Sequence, residues 1–223
     1  MMPRSIIVPL LTLSLVCVSG CSSTSRAAAP MPDPVVDMSL AQGAKNETAV
    51  FAGGCFWGIE AVFEHVKGVQ QVTSGYSGGT RDTADYSKVS SGRTGHAESV
   101  EVIYDPAQVS YGQLLKVFFS VAHDPTQLNR QGPDFGPQYR SAIFYASANQ
   151  QRIAAAYVEQ LSAAMLFTKP IATQLVALDA FYAAEPYHQD YMQHHPNQPY
   201  IVFNDAPKVA NLKRLLPELY EGS

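Results

Sequence analysis

One cysteine, at the start of an amphipathic segment, is the clearest candidate for nucleophilic chemistry in this chain. Cys55 lies in Gly-Gly-Cys-Phe-Trp-Gly (residues 53–58), between a short β-prone run and a stretch with helical spacing. The free N–H groups at a helix start favour a thiolate and can lower a cysteine pKa from about 8.5 to roughly 3.5–7.5. A buried free cysteine is often only a small apolar side chain. The two preceding glycines, which permit unusual backbone angles, and the helix start favour an activated thiol here.

Two large aromatic residues directly follow this cysteine. Phe56 and Trp57, the only tryptophan of the chain, open the helical stretch. Aromatic side chains at such a position are usually core anchors. Beside a nucleophile they could instead form the walls of a pocket for a small apolar group.

A carboxylic acid in a predicted strand is the candidate proton donor. Glu98 alternates with Val100, Val102 and Tyr104, so these four side chains share one face of a strand. Desolvation on an apolar face would raise the pKa of the carboxyl group and keep it protonated, as proton donation to a substrate oxygen requires. Alternatively, Glu98 lies at the strand end and reaches water; the pattern leaves both readings open.

Further polar residues lie in irregular segments. Tyr86 lies in the glycine-rich loop over about 77–87, and Asp134 and Tyr139 lie at the end of the long segment 123–138, which has no periodicity. Long loops within compact domains are often functional, which makes these residues secondary candidates.

Two other classes of site are disfavoured by the sequence. His188, His194 and His195 are spaced poorly for one metal ion and have no cysteine partner, so no metal site is expected. Phosphate-binding and dinucleotide-binding glycine motifs are absent. No bound cofactor is therefore predicted.

The segments that must position these residues alternate between strand and helix patterns. A first helix is indicated by Ile59, Val62, Phe63 and Val66 and ends before Gly68. Strands are predicted over 48–52, 69–76, 97–104, 139–146 and 171–178, and further helices over 111–122 and 149–164. Val209, Leu212, Leu215 and Leu216 form a short amphipathic pattern in the tail. This order predicts an α/β (α+β) domain in two layers, with helices packed on a mixed β-sheet.

The N-terminus resembles an export signal. A short positive region over 1–4 and an apolar run over 6–18 precede Val18-Ser19-Gly20-Cys21, which resembles the lipobox of bacterial lipoproteins. This resemblance implies cleavage after residue 20, lipidation of Cys21, and anchoring on the periplasmic side of the outer membrane. An ordinary cleaved signal or an uncleaved anchor are the alternatives.

The remaining chain is divided by composition. Residues 21–46, rich in Ser, Ala and Pro, are predicted to be a flexible tether, and 47–223 a catalytic domain. The full chain carries a net charge of −4 without any basic block, which argues against nucleic acid binding. With Cys17 in the signal and Cys21 acylated, the domain has no possible internal disulfide.

The cysteine segment resembles the signature of the peptide methionine sulfoxide reductase A family. Residues 86–98, 123–143 and 184–189 resemble further family elements in the same order, and the similarity extends over about 48–203. The resemblance implies a ferredoxin-like core and reduction of the S epimer of methionine sulfoxide, free or in oxidised proteins. It implies Cys55 as nucleophile, Glu98 as acid and Asp134 as a supporting residue. Tyr86 and Tyr139 would hydrogen-bond the sulfoxide oxygen, and Phe56 and Trp57 would hold the methyl group.

The chain departs from many members of that family in its cysteines. The tail 196–223 has none, and Ser90 and Ser91 stand where some members have cysteine. We therefore predict that a Cys55 sulfenic acid forms and is reduced by an external thiol of the thioredoxin-like or glutathione type. A monomer is expected.

Two other functions use the same residues differently. A thiol peroxidase also has an activated cysteine and a sulfenate, but it needs no acid directed at a sulfoxide oxygen. A non-catalytic lipoprotein binding module would use Cys55 only structurally.

Overall fold

A mixed six-stranded sheet forms the centre of the fold. The computed structural model describes residues 30–43 and 45–222. The strands are β1 (Glu47–Gly53), β2 (Val69–Ser77), β3 (Ala97–Tyr104), β4 (Arg130–Gln131), β5 (Asp134–Phe135), β6 (Ser141–Tyr145), β7 (Gln174–Ala177) and β8 (Phe181–Ala183). The sheet has the order β7-β6-β1-β3-β2-β8, and β4 and β5 form a separate hairpin. The α/β class is thereby confirmed, whereas the ferredoxin-like subdivision stays a prediction.

The central strands place the candidate nucleophile and acid on neighbouring strands. β1 pairs antiparallel with β3 and with β6, while β6 and β7 are parallel. The register sets Phe51 of β1 opposite Val100 of β3. Because β1 runs on towards Cys55 and β3 begins at Ala97, both candidates lie at the same end of this strand pair.

The helices are defined by local capping and apolar spacing. They are α1 (Phe56–Glu64), α2 (Tyr86–Val89), α3 (Tyr111–Val117), α4 (Ala148–Ala163), α5 (Tyr191–His194) and α6 (Ala206–Leu215). A capping box starts α3, since Ser110 accepts from the Gln113 N–H and the Gln113 side chain accepts from the Ser110 N–H. The Ser147 side chain caps α4 by accepting from the Gln150 N–H.

Several predicted boundaries were wrong. The predicted helix over 111–122 changes to a turn of π-helix at Phe118–Ala122. The predicted strand over 139–146 begins only at Ser141, because Tyr139 belongs to the 3₁₀ turn Pro137–Tyr139. The segment 123–138 contains the β4–β5 hairpin, and β8 was not predicted at all. Strands of two or three residues are too short to show a period.

The main core lies between α1, α3, α4 and the sheet. Phe51 of β1 stacks on Phe63 of α1 and on Phe118, with both ring centroids 5.1 Å away. All three rings are buried. Because these contacts fix the end of β1 against α1, the connection that carries Cys55 has little conformational freedom.

Residues 30–43, which belong to the predicted tether over 21–46, pack on the domain, while residues 21–29 lie outside the described residues. Within the described residues 30–43, the Asp37 carboxylate accepts from the Ser110 hydroxyl and the Gly112 N–H. Asp33 pairs with Lys116 at 2.7 Å. The signal segment 1–20 and Cys21 lie outside the described residues. In the described part of the chain, none of the helices has the length and apolar character needed to cross a membrane.

Candidate active site

Cys55 directly precedes α1, at the tight junction with β1. Gly54 has φ +105°, and a Cβ there would lie 2.5 Å from Cγ of Gln131. A Cβ on Gly53 would lie 2.9 Å from the His123 ring. The two glycines thus let the long loop 123–138 pack directly against the backbone that presents the thiol.

The thiol faces a cavity of about 190 Å³. Its lining residues are Cys55, Phe56, Trp57, Tyr86, Glu98, Asp134, Tyr139 and Tyr200. All seven catalytic and substrate-binding residues predicted from the sequence are therefore brought together from α1, α2, β3, β5 and the turn before β6. Their individual roles stay predictions.

The resting thiol is protonated, contrary to the lowered pKa expected from its position. Cys55 is 8% exposed. Burial raises the pKa of its thiol well above the usual range, and Glu98, when it is ionised, and Asp205 raise it further. The Trp57 backbone N–H and Lys208 act in the opposite direction. The helix start does favour the thiolate, but this effect is smaller than the desolvation penalty.

Glu98 is buried rather than solvated, which decides between the two readings of its strand position. It is 2% exposed, and its Oε2 accepts the Phe56 backbone N–H at 3.1 Å. Burial raises the pKa of Glu98 to about 8, despite the opposing Phe56 N–H; Asp134 and Asp205 raise it further. At neutral pH this carboxyl group is mostly protonated.

Two phenols face the same cavity from different elements. Tyr86 opens α2, and its backbone N–H donates to Glu185 at 2.9 Å. The Tyr139 N–H donates to the Gly136 carbonyl at 3.0 Å within its 3₁₀ turn. Burial raises the pKa of both phenols, which keeps them as hydrogen-bond donors.

Asp134 is paired with a residue that the sequence did not indicate. The Tyr200 hydroxyl donates to Asp134 Oδ2, and the Tyr200 ring lies edge-on to Trp57 with centroids 6.0 Å apart. Burial raises the pKa of Asp134 while the Tyr200 bond opposes this shift. Tyr200 stands between prolines without any periodic pattern, so no local signal marks it.

Trp57 is held as a fixed wall of the cavity. Its ring stacks on Tyr191 at 3.7 Å, and its Nε1–H donates to His188 Nδ1 at 3.2 Å. Phe56 packs on the His188 ring at 5.0 Å. His188, considered above only for metal binding, is thus an acceptor that orients the indole. Within residues 30–43 and 45–222, no group of acidic, histidine or cysteine side chains is placed to hold a metal ion.

Comparisons with known proteins show which family this chain resembles. The family model for peptide methionine sulfoxide reductase matches residues 47–218. A peptide methionine sulfoxide reductase MsrA 2 of Mesorhizobium japonicum is 60% identical over 175 residues, covering 78% of this chain and 90% of that protein. Another, from Synechocystis, is 56% identical over 82% of this chain and 87% of its own length.

Solved structures of the same kind share the fold. Methionine sulfoxide reductase A of Corynebacterium diphtheriae is 38% identical with a TM-score of 0.60, covering 77% of this chain and 85% of that one. Reduced Mxr1 from Saccharomyces cerevisiae is 31% identical with a TM-score of 0.63, covering 74% and 92%. With a family model that matches most of its length and relatives of this identity, the chain belongs to the peptide methionine sulfoxide reductase family.

Proposed function

We propose that Cys55 attacks the sulfur of methionine sulfoxide while Glu98 protonates its oxygen. Reduction of methionine (S)-S-oxide and repair of oxidised proteins follow from membership of the family. In the proposed complex, Tyr86 and Tyr139 donate hydrogen bonds to the sulfoxide oxygen. Asp134 supports the site, and Phe56 and Trp57 hold the methyl group.

The observation that carries this mechanism is a buried carboxyl group, that of Glu98, in the cavity that the thiol faces. A sulfoxide is a poor electrophile until its oxygen is protonated or strongly hydrogen-bonded. Glu98, with a pKa of about 8, is mostly a proton donor at neutral pH. A solvated carboxylate with an ordinary pKa near 4.3 could not fill this role.

The proposed step balances without an added acid or base. Glu98 gives its proton to the sulfoxide oxygen, and the thiol proton returns to Glu98 as the Cys55 sulfur attacks. The hydroxyl group then moves from the substrate sulfur to the Cys55 sulfur: the substrate sulfur–oxygen bond and the transient sulfur–sulfur bond break, and a sulfur–oxygen bond forms on Cys55. The products are a thioether and a Cys55 sulfenic acid. The substrate sulfur is reduced by two electrons, and the Cys55 sulfur is oxidised by two.

Regeneration is proposed to need a second molecule. Cys55 is the one cysteine among the described residues, and the tail 196–223 carries none. A thioredoxin-like or glutathione-type thiol would attack the sulfenic acid with loss of water, and a second thiol would release Cys55 as thiol.

The proposed location is the periplasmic side of the outer membrane, with a lipid on Cys21 and a monomeric domain. This proposal rests on the lipobox-like residues 18–21. Metabolic labelling with a fatty acid should mark the wild-type chain and not Cys21→Ala; equal labelling of both would refute it.

The test of the function is an assay of both sulfoxide epimers of a methionine sulfoxide peptide with different thiol donors. Wild-type protein should reduce the S epimer alone, and Cys55→Ser should lose the activity while it keeps its circular dichroism spectrum. Retention of activity in Cys55→Ser would exclude the mechanism. A thiol peroxidase would instead consume peroxide and keep that activity in Glu98→Gln.

A further inference from the structure

A buried ion pair lies outside the cavity and has no part in the mechanism above. Asp205 is 0% exposed, and its Oδ1 accepts from Lys208 Nζ at 3.1 Å. Its Oδ2 is buried without a hydrogen-bond partner among the described residues. Buried ion pairs seldom stabilise a fold more than apolar residues of the same size. The position of this pair therefore calls for another explanation.

The pair packs against the first turn of α1. A Cβ on Gly58 would overlap the Asp205 carboxylate and would lie 2.8 Å from Lys208 Nζ. Gly58 follows Cys55, the N-cap of α1, by three residues. The Lys208 ammonium group therefore packs against the first turn of the helix that Cys55 precedes.

Helix α6 holds the Lys208 side chain in this position. Lys208 lies in α6, which packs against α1 and buries Leu212. The side chain of Lys208 is only 17% exposed, so its charge is poorly screened by water.

We propose that Lys208 is the counter-charge that stabilises the Cys55 thiolate as it forms, and that Asp205 holds this cation while opposing the same ionisation. The inference rests on the proposed role of Cys55 as the nucleophile. It makes α6 a functional part of the site, and it defines Lys208 as a positioning residue that acts through the thiol without contacting the substrate.

The charges around the thiol support this assignment. Asp205 raises the pKa of Cys55 and Lys208 lowers it to a smaller extent, so the two halves of one pair act in opposite directions. The other titratable groups that face the thiol are Glu98 on β3, Asp134 on β5 and the phenols of Tyr86, Tyr139 and Tyr200. These are all neutral or negative, so none of them can stabilise an anion by its charge.

The test measures the apparent pKa of Cys55 from the pH dependence of its alkylation by iodoacetamide, without substrate. Lys208→Met should raise this pKa and slow alkylation at pH 7.5 by about threefold to tenfold. Asp205→Asn should lower the pKa and accelerate alkylation. Lys213→Met removes an exposed charge from the same helix and should change neither value.

Opposite shifts distinguish this role from a structural one, since loss of packing would move both variants in the same direction. Because Lys208→Met leaves a buried carboxylate without its cation, the double variant Asp205→Asn/Lys208→Met is also compared with Asp205→Asn. A higher pKa of Cys55 in the double variant than in Asp205→Asn supports the proposal. The proposal is overturned if Lys208→Met and Asp205→Asn shift the pKa of Cys55 in the same direction, or if neither shift exceeds that of Lys213→Met. Alkylation needs no turnover, so this result is separate from activity in Cys55→Ser, which would instead refute the nucleophilic role.

Discussion

At the scale of single residues, the proposed acid and the proposed nucleophile are both neutral in the resting site. Burial raises the pKa of the Cys55 thiol and of the Glu98 carboxyl group alike. For an acid this shift is useful, since it keeps the proton available at neutral pH. For a thiol the same shift disfavours the reactive thiolate. This implies that the thiolate forms only together with proton transfer to the substrate.

Replacing Glu98 should remove this acid and its titration. The rate should fall in Glu98→Gln by roughly 10²–10⁴-fold, the usual reach of acid catalysis. In the wild type, kcat/KM should decrease as the pH rises through about 8, because deprotonation of Glu98 removes the donor. Stopped-flow assays between pH 6 and 9.5 measure this decrease in kcat/KM, which should be absent from Glu98→Gln. A wild-type rate in Glu98→Gln near pH 8 would contradict the assigned role.

The lone cysteine should leave a trappable product. After one turnover without reductant, Cys55 should react with a sulfenate probe, because the described domain holds no second thiol. Mass spectrometry of the trapped protein lacking residues 1–21 should show one probe adduct. An intramolecular disulfide would refute this expectation, and Cys55→Ser serves as the blank.

At the scale of elements, the β1–α1 junction is the most constrained connection of the site. Gly54→Ala should destabilise the domain by about 1–3 kcal/mol, because its positive φ and the contact with Gln131 both disfavour a side chain. Urea denaturation measures this loss. Gly132→Ala is the matched control: Gly132 has φ +55°, but no atom lies within 4 Å of its added Cβ. An equal loss in both variants would show that the Gln131 contact has no effect.

At the scale of the whole molecule, the segment before β1 belongs to the folded domain. Asp37 binds the Ser110 hydroxyl and the Gly112 N–H at the start of α3, where a helix favours a negative charge. Asp37→Ala should therefore reduce the free energy of unfolding by about 1–3 kcal/mol, since it leaves partly buried donors unsatisfied. Chemical denaturation tests this, with the exposed Asp179→Ala as a control of the same charge change. No difference between the two would restore the view of this segment as a loose tether.

Local patterns were sufficient for much of the fold. The strand over 97–104 and the helix that follows Cys55 show strong periods, and the structure contains both, although the helix ends at Glu64 and not just before Gly68. The short strands β4, β5 and β8 form through pairing with distant residues, so their sequences carry no period of their own. Tyr200 could not be predicted for the same reason. It reaches the cavity only because α6 and the turn before it fold back onto α1.

The sequence by itself determined which side chains are candidates for the chemistry, because residue types and their order along the chain are local properties. Cys55, Glu98, Tyr86, Tyr139 and Asp134 could all be named from it. Only the tertiary structure decided their ionisation. Desolvation and neighbouring charges set a pKa, and both depend on residues far apart in the chain, such as Asp205 and Lys208 beside Cys55.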